Sequence, residues 1–179
     1  FKGKGKNMIH KKISVKIGEH HPTAEITTYM IGNSEELYDG RLRPLIIICP
    51  GGGYEMTSDR EAEGIALKFM AMGYHAAVLR YSVKPAVYPT ALLQLAATVK
   101  YFRENSDKYY IDADKIIICG FSAGGHLVAS YGNSWNKAQF TNNRANGNEV
   151  CRPNAQILCY PVISSGKYGH KESIENLMI

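Results

Sequence analysis

IIICGFSAGGH, residues 116–126, sets Ser122 between glycines directly after an apolar run. A short run of this kind reads as a buried strand, and the helix-forming residues that follow make the glycines a strand-to-helix turn. In so tight a turn the apex residue takes a strained backbone conformation. Its neighbours two positions away must lack a Cβ to clear the adjacent strand and helix, and Gly120 and Gly124 meet that requirement. The apex side chain then stands above the C-terminal edge of a sheet, at a helix N-terminus whose free N–H groups and positive dipole end favour a developing anion. A serine there is either a nucleophile or a plain helix N-cap, and the pentapeptide by itself leaves both open.

Outward from this turn the chain alternates strands and helices. Ile13–Ile17 and Ala24–Met30 read as two strands joined by a turn at His20-His21-Pro22. Leu45–Cys49 is a continuous apolar run suited to burial on both faces of a parallel sheet, and it stops at Pro50-Gly51-Gly52-Gly53. Helical spacing of Ala62, Ile65, Ala66, Phe69 and Met70 predicts a helix from about Asp59 to Met72, followed by a strand from His75 to Arg80. A second helix starts at Pro89 and carries Leu92, Leu95, Ala96, Val99 and Phe102 on one face. Lys115–Cys119 is the next strand, Ala123 to about Ser130 the next helix, and Ala155–Tyr160 a last strand ended by Pro161. This alternation predicts an α/β architecture: a mostly parallel twisted sheet with helices on both faces. The Asn-rich stretch 133–154 reads as a long polar surface loop.

Composition narrows the function classes. With 179 residues, 45% of them hydrophobic, one core is expected, so residues 1–179 read as a single domain with a basic arm at 1–12. No apolar run approaches the roughly 20 residues of a membrane span. The formal charge of +5 lies partly in Lys2, Lys4, Lys6, Lys11 and Lys12, and without an aromatic-basic groove it does not argue for nucleic acid. Cys49 and Cys119 end apolar runs as small buried hydrophobes. Cys151 and Cys159 have neither the spacing nor the histidine neighbours of a metal or redox motif, so a reducing, cytoplasmic setting is expected, with no signal peptide in view and no metal.

A second glycine turn, Pro50-Gly51-Gly52-Gly53-Tyr54, follows an earlier buried strand and so flanks the same sheet edge. Acyl transfer requires donors about 3 Å from the tetrahedral oxyanion, and the N–H groups of Gly52 or Gly53 with that of Ala123 could supply them. The pair PGGGY and GFSAGGH resembles the α/β-hydrolase superfamily, and within it the small bacterial esterase/lipase group similar to acetyl esterases. GYHAAVLRYSV (73–83), YPTALLQLAATVKYFREN (88–105) and YIDADKIIICGFSAGGH (110–126) agree with that group. The resemblance implies the α/β-hydrolase fold from about Ile13 to Ile179, with Ser122 as nucleophile and Gly52, Gly53 and Ala123 at the oxyanion hole. Pro50 departs from the His-Gly-Gly-Gly form of many lipases.

A serine nucleophile needs a histidine and a carboxylate, which in this fold follow it in the chain order serine, acid, histidine. His126 follows Ser122 by one helical turn and reads as structural; Glu149 with His170 satisfies the order but precedes the strands that should carry the pair. His10, His20, His21 and His75 read as packing or surface residues, Asp112 and Asp114 as turn residues, and Asp59 and Glu61 as helix-start acids. The expectation is that acid and histidine lie beyond Ile179 and that these residues alone are inactive. The last strands would then be missing, leaving an open apolar sheet edge for a second copy or a C-terminal piece to cover. The activity expected is a serine carboxylesterase for short acyl esters, acetyl esters among them, with a small-molecule ester as partner and no organic cofactor. A peptidase or amidase and a non-catalytic binding protein on the same fold remain the alternatives. Tyr54, Tyr81 and Tyr160 are candidate pocket residues.

Overall fold

Leu45 to Cys49 carries no polar residue because both faces of its strand are covered. The computed structural model describes residues 7–36, 40–137 and 149–178. It contains strands β1 (Lys12–Val15), β2 (Ala24–Tyr29), β3 (Arg43–Cys49), β4 (His75–Arg80), β5 (Ile111–Phe121) and β6 (Ala155–Cys159). The helices are α1 (Glu63–Ala71), α2 (Thr90–Glu104), α3 (Ser106–Tyr109), α4 (Ala123–Gly132) and α5 (Lys171–Met178).

The six strands form one sheet in the order β1-β2-β4-β3-β5-β6. β1 and β2 form the expected antiparallel pair, β2 joins β4 antiparallel, and β4, β3, β5 and β6 run parallel. Leu45, Ile47 and Cys49 enter one core with Leu92, Leu95, Val99, Leu127 and Val128 of α2 and α4, while Ile46 and Ile48 enter another with Ala62 and Ala66. The two-residue period of a strand thus divides a single apolar run between two helical layers. α2 follows its predicted stripe closely, and truncating fully buried Leu95 to Ala would cost about 2–5 kcal/mol.

Most boundaries fall within about two residues of expectation, and two differ by more. β5 starts at Ile111 rather than Lys115, because the chain bulges: between Arg43 and Leu45 on β3, β5 advances from Ile111 to Ile116. The Asp residues keep their turn chemistry inside that bulge, Asp112 accepting the Asp114 N–H at 3.1 Å and pairing with Lys115 at 2.8 Å. The predicted 59–72 helix is divided into a 3-10 turn at Asp59–Glu61 and α1.

Of the basic stretch 1–12, residues 1–6 lie outside the described residues; Ile9 bridges to Met30 and Lys12 opens β1, paired with Glu25 at 2.9 Å. The Asn-rich stretch lies outside them at 138–148, and beyond it Glu149–Cys151 forms a 3-10 turn. The Arg103 side chain ties this turn to α2 through the Val150 carbonyl at 2.8 Å and Asn154 Oδ1 at 2.8 Å. No helix among the described residues is long and apolar enough to cross a membrane.

Candidate active site

Strand register brings the two glycine turns together. Cys49 of β3 pairs with Gly120 of β5, so the chain leaves both strands at the same height on the C-terminal edge. A Cβ added to Gly51 would stand 3.0 Å from Ser122 Cβ, which places PGGGY directly beside the serine. At Gly120 a Cβ would lie 2.2 Å from the Gly124 carbonyl oxygen, and at Gly124 it would lie 2.1 Å from the Cys49 oxygen. Neither site admits a side chain, as the turn argument requires.

Ser122 sits at φ 50°, ψ −116°, a conformation non-glycine residues rarely adopt, and its side chain makes no capping hydrogen bond to α4. The N-cap reading is therefore set aside. Neighbours over-determine the strained residue: its N–H donates to Cys159 O at 3.0 Å, and its carbonyl accepts from His126 N–H at 3.0 Å and Val162 N–H at 3.1 Å. Strand end, helix and the segment after β6 all hold the backbone of this one residue, leaving the half-buried hydroxyl presented at the sheet edge.

The glycine loop is held by its carbonyls. Pro50 O accepts the Tyr81 hydroxyl at 2.7 Å, and Gly51 O accepts Ser58 N–H at 2.8 Å. Gly52 O accepts the N–H groups of Glu55 and Met56, and Gly53 O accepts Asn176 Nδ2 at 3.1 Å. Because a trans peptide turns its N–H away from its carbonyl, these ties aim the N–H groups of Gly52 and Gly53 in the opposite direction. Neither they nor the Ala123 N–H at the start of α4 has an acceptor among the described residues. The fourth N–H, that of Gly51, is taken by Glu61 Oε2 at 2.7 Å.

Glu61 was legible only as a helix-start acid. It also accepts the Tyr160 hydroxyl at 2.6 Å through Oε1, linking the glycine loop to the segment after β6. That carboxylate, ahead of burial, pushes the Tyr160 hydroxyl up to about 12. Tyr160 is 65% exposed, whereas Tyr54 and Tyr81 are buried. A cleft of about 720 Å³ opens beside the 81–90 loop, lined by His20, His21, Tyr81, Val83 and Tyr88 among others; Tyr81 is its link to the glycine loop, and Ser122 does not line it.

No imidazole among the described residues bonds to Ser122. His126 Nδ1 meets the Tyr54 hydroxyl at 2.8 Å and its Nε2 meets Ser130 Oγ at 3.4 Å, with burial lowering its pKa. His75 and His10 bond to backbone groups, and His21 to Thr90. His170 Nδ1 is taken by Ser173 at 2.9 Å, while Glu149 pairs with Arg152, so the Glu149–His170 pairing is not formed. None of the four cysteines forms a disulfide; burial raises Cys49 well above the usual thiol range and Cys119 to about 12, which leaves both unreactive. No group of three metal-ligating side chains converges among the described residues.

The doubly wound sheet, the strained serine at its edge and the adjoining glycine loop define an α/β-hydrolase. A family profile described as BD-FAE matches residues 36–164, and the chain belongs to that family. It is 34% identical to endo-1,4-beta-xylanase B of Butyrivibrio fibrisolvens over 76% of this chain and 22% of that protein. Among solved structures it resembles carboxylesterase Cest-2923 of Lactobacillus plantarum, at TM-score 0.81 and 30% identity over 96% of this chain and 63% of that one. An acetyl ester-xyloside bifunctional hydrolase from Caldicellulosiruptor lactoaceticus aligns at TM-score 0.75 and 29% identity, over 97% and 63% of the two chains. The chain thus spans about a fifth of that curated relative and just under two thirds of these solved structures.

Proposed function

We propose that this chain carries the nucleophile and the oxyanion-binding half of a serine carboxylesterase for short acyl esters. The observation that carries the reading is the uncapped Ser122 at φ 50°, set beside N–H groups of Gly52, Gly53 and Ala123 that have no described acceptor. In this reading Ser122 Oγ attacks the ester carbonyl carbon and gives its proton to an imidazole. The carbonyl oxygen becomes an anion that receives the three N–H groups, and such preorganised donors stabilise the transition state without reorganisation. Collapse of the tetrahedral intermediate expels the alcohol, which takes the proton back, and leaves an acyl-serine. Water, deprotonated by the same imidazole, then releases the acid and restores Ser122.

The imidazole and its carboxylate partner would come from chain following residue 179, in keeping with the share of the solved relatives that this chain does not span. Further strands would add at β6, an edge strand that carries exposed Leu158 and is followed by exposed Tyr160 and Ile163. A preference for acetyl groups draws its support from the activity named for the Caldicellulosiruptor hydrolase.

In the full-length protein, a fluorophosphonate should add to Ser122, and Ser122→Ala should lower p-nitrophenyl acetate turnover by about 10⁴-fold or more. Retained turnover in Ser122→Ala would remove the nucleophile assignment. Absence of both adduct and turnover in the wild type would leave a non-catalytic binding protein on this fold.

A further inference from the structure

We infer that Asn176, on α5, is a positioning residue for the Gly52–Gly53 loop, so that seating of this helix completes the oxyanion site. The inference rests on the esterase reading above. The carbonyls of Pro50, Gly51 and Gly52 are all held by residues 55–81, which belong to the body of the fold around the loop. Gly53 is different: its carbonyl is held by a side chain 123 positions away, Asn176 Nδ2 at 3.1 Å.

Asn176 is 7% exposed and its carboxamide is used at both ends, with Oδ1 accepting Lys84 Nζ at 3.3 Å. Lys84 in turn donates its own N–H to Tyr54 O at 2.9 Å, so the two residues close a ring of hydrogen bonds around the peptide joining Gly53 to Tyr54. Tyr88 N–H donates to Leu177 O at 2.9 Å, fixing the end of α5 to the same 81–90 loop. Ser173, one turn earlier and 1% exposed, places Oγ 3.6 Å from where a Cβ of Gly53 would stand.

The physical need for this clamp lies in the loop itself. Gly53 is at φ +66° and, as a glycine, passes between backbone wells at little cost. A rotated Gly53–Tyr54 peptide would change ψ of Gly53 and φ of Tyr54, loosening the loop at the residue whose own N–H, in the preceding peptide, faces the oxyanion site. Hydrogen bonding from Asn176 opposes that rotation, so its contribution should be felt where negative charge develops on the substrate oxygen rather than in ground-state binding.

The test uses the full-length protein and three variants. Asn176→Ala removes the donor. Asn176→Asp keeps the shape and the partnership with Lys84 but turns an acceptor toward the Gly53 carbonyl, and Lys84→Met removes the second partner. Asn176→Asp should lower kcat for p-nitrophenyl acetate by about tenfold to a hundredfold, less than the loss of a whole oxyanion donor, with KM within about twofold. Affinity for a boronic acid that mimics the tetrahedral intermediate should weaken by the same factor as kcat. Asn176→Ala should do the same more mildly, and Lys84→Met least. Should Asn176→Ala not fold, the near-isosteric Asn176→Asp still decides the matter. A kcat for Asn176→Asp within about twofold of wild type, or a fall in kcat without a matching loss of boronate affinity, would overturn the inference. Fluorophosphonate labelling of wild-type Ser122 keeps the two readings apart: no label and no turnover sinks the esterase reading, whereas label and turnover with an indifferent Asn176→Asp sinks only this one.

Discussion

Glu61 and Gly51 are ten residues apart and joined by a 2.7 Å hydrogen bond, in which the carboxylate receives the first N–H of the glycine loop. With its other oxygen on Tyr160, Glu61 joins PGGGY to the residue that directly follows β6.

Removing that carboxylate leaves a buried glycine N–H without an acceptor, at a cost of about 1–3 kcal/mol. Glu61→Ala should therefore lower the urea midpoint and reduce the ester turnover proposed for the full-length protein. A variant with wild-type stability would show that water replaces the carboxylate at no cost.

Glycine substitutions should divide sharply by position. Gly124→Ala would press a methyl group to 2.1 Å from the Cys49 carbonyl oxygen, a backbone atom that cannot move without displacing β3. Loss of soluble folded protein is expected. Gly64→Ala, exposed in the first turn of α1 with nothing within 4 Å, should instead raise stability by about 0.5–1 kcal/mol. Melting curves of the two variants check both directions at once.

His75 makes stability depend on pH. Wholly buried, it accepts Ile31 N–H at Nδ1 (3.0 Å) and faces Tyr110 O with Nε2 (3.2 Å), an arrangement that only the neutral ring satisfies. Burial, then the charge of Arg43, lowers its pKa from 6.5 to about 4. Between those values the unfolded chain binds the proton and the folded chain does not. Stability from this group is thus complete above about pH 6.5 and declines as pH falls toward 4, by on the order of 3 kcal/mol at most. Urea unfolding at pH 7 and pH 4.5 should show this dependence in the wild type and less of it in His75→Gln; equal slopes in the two proteins would refute the assignment.

Tyr54 connects the glycine loop to α4 through His126 at 2.8 Å and is held at φ 58°. Tyr54→Phe keeps the ring packed on Tyr81 but orphans the half-buried Nδ1, so a loss of about 1–2 kcal/mol is expected by chemical denaturation. No change would mean that a water takes the place of the hydroxyl.

What the amino-acid sequence determined alone is what depends on neighbours along the chain. Apolar runs and helical stripes marked β3, β4, α2 and α4 to within a residue or two, because burial on one or both faces imposes a local period. Spacing of the glycines around Ser122 stated the turn outright, since the steric demand there comes from residues two positions away. Contacts between distant segments were not readable. Glu61 read as an ordinary helix-start acid and no sequence signal singled out Asn176, yet Glu61 accepts an N–H and Asn176 holds a carbonyl of the glycine loop. Only the tertiary structure decided those roles, because a hydrogen bond between residues 53 and 176 leaves no periodic trace: it depends on where strand register and helix packing deliver two side chains in space.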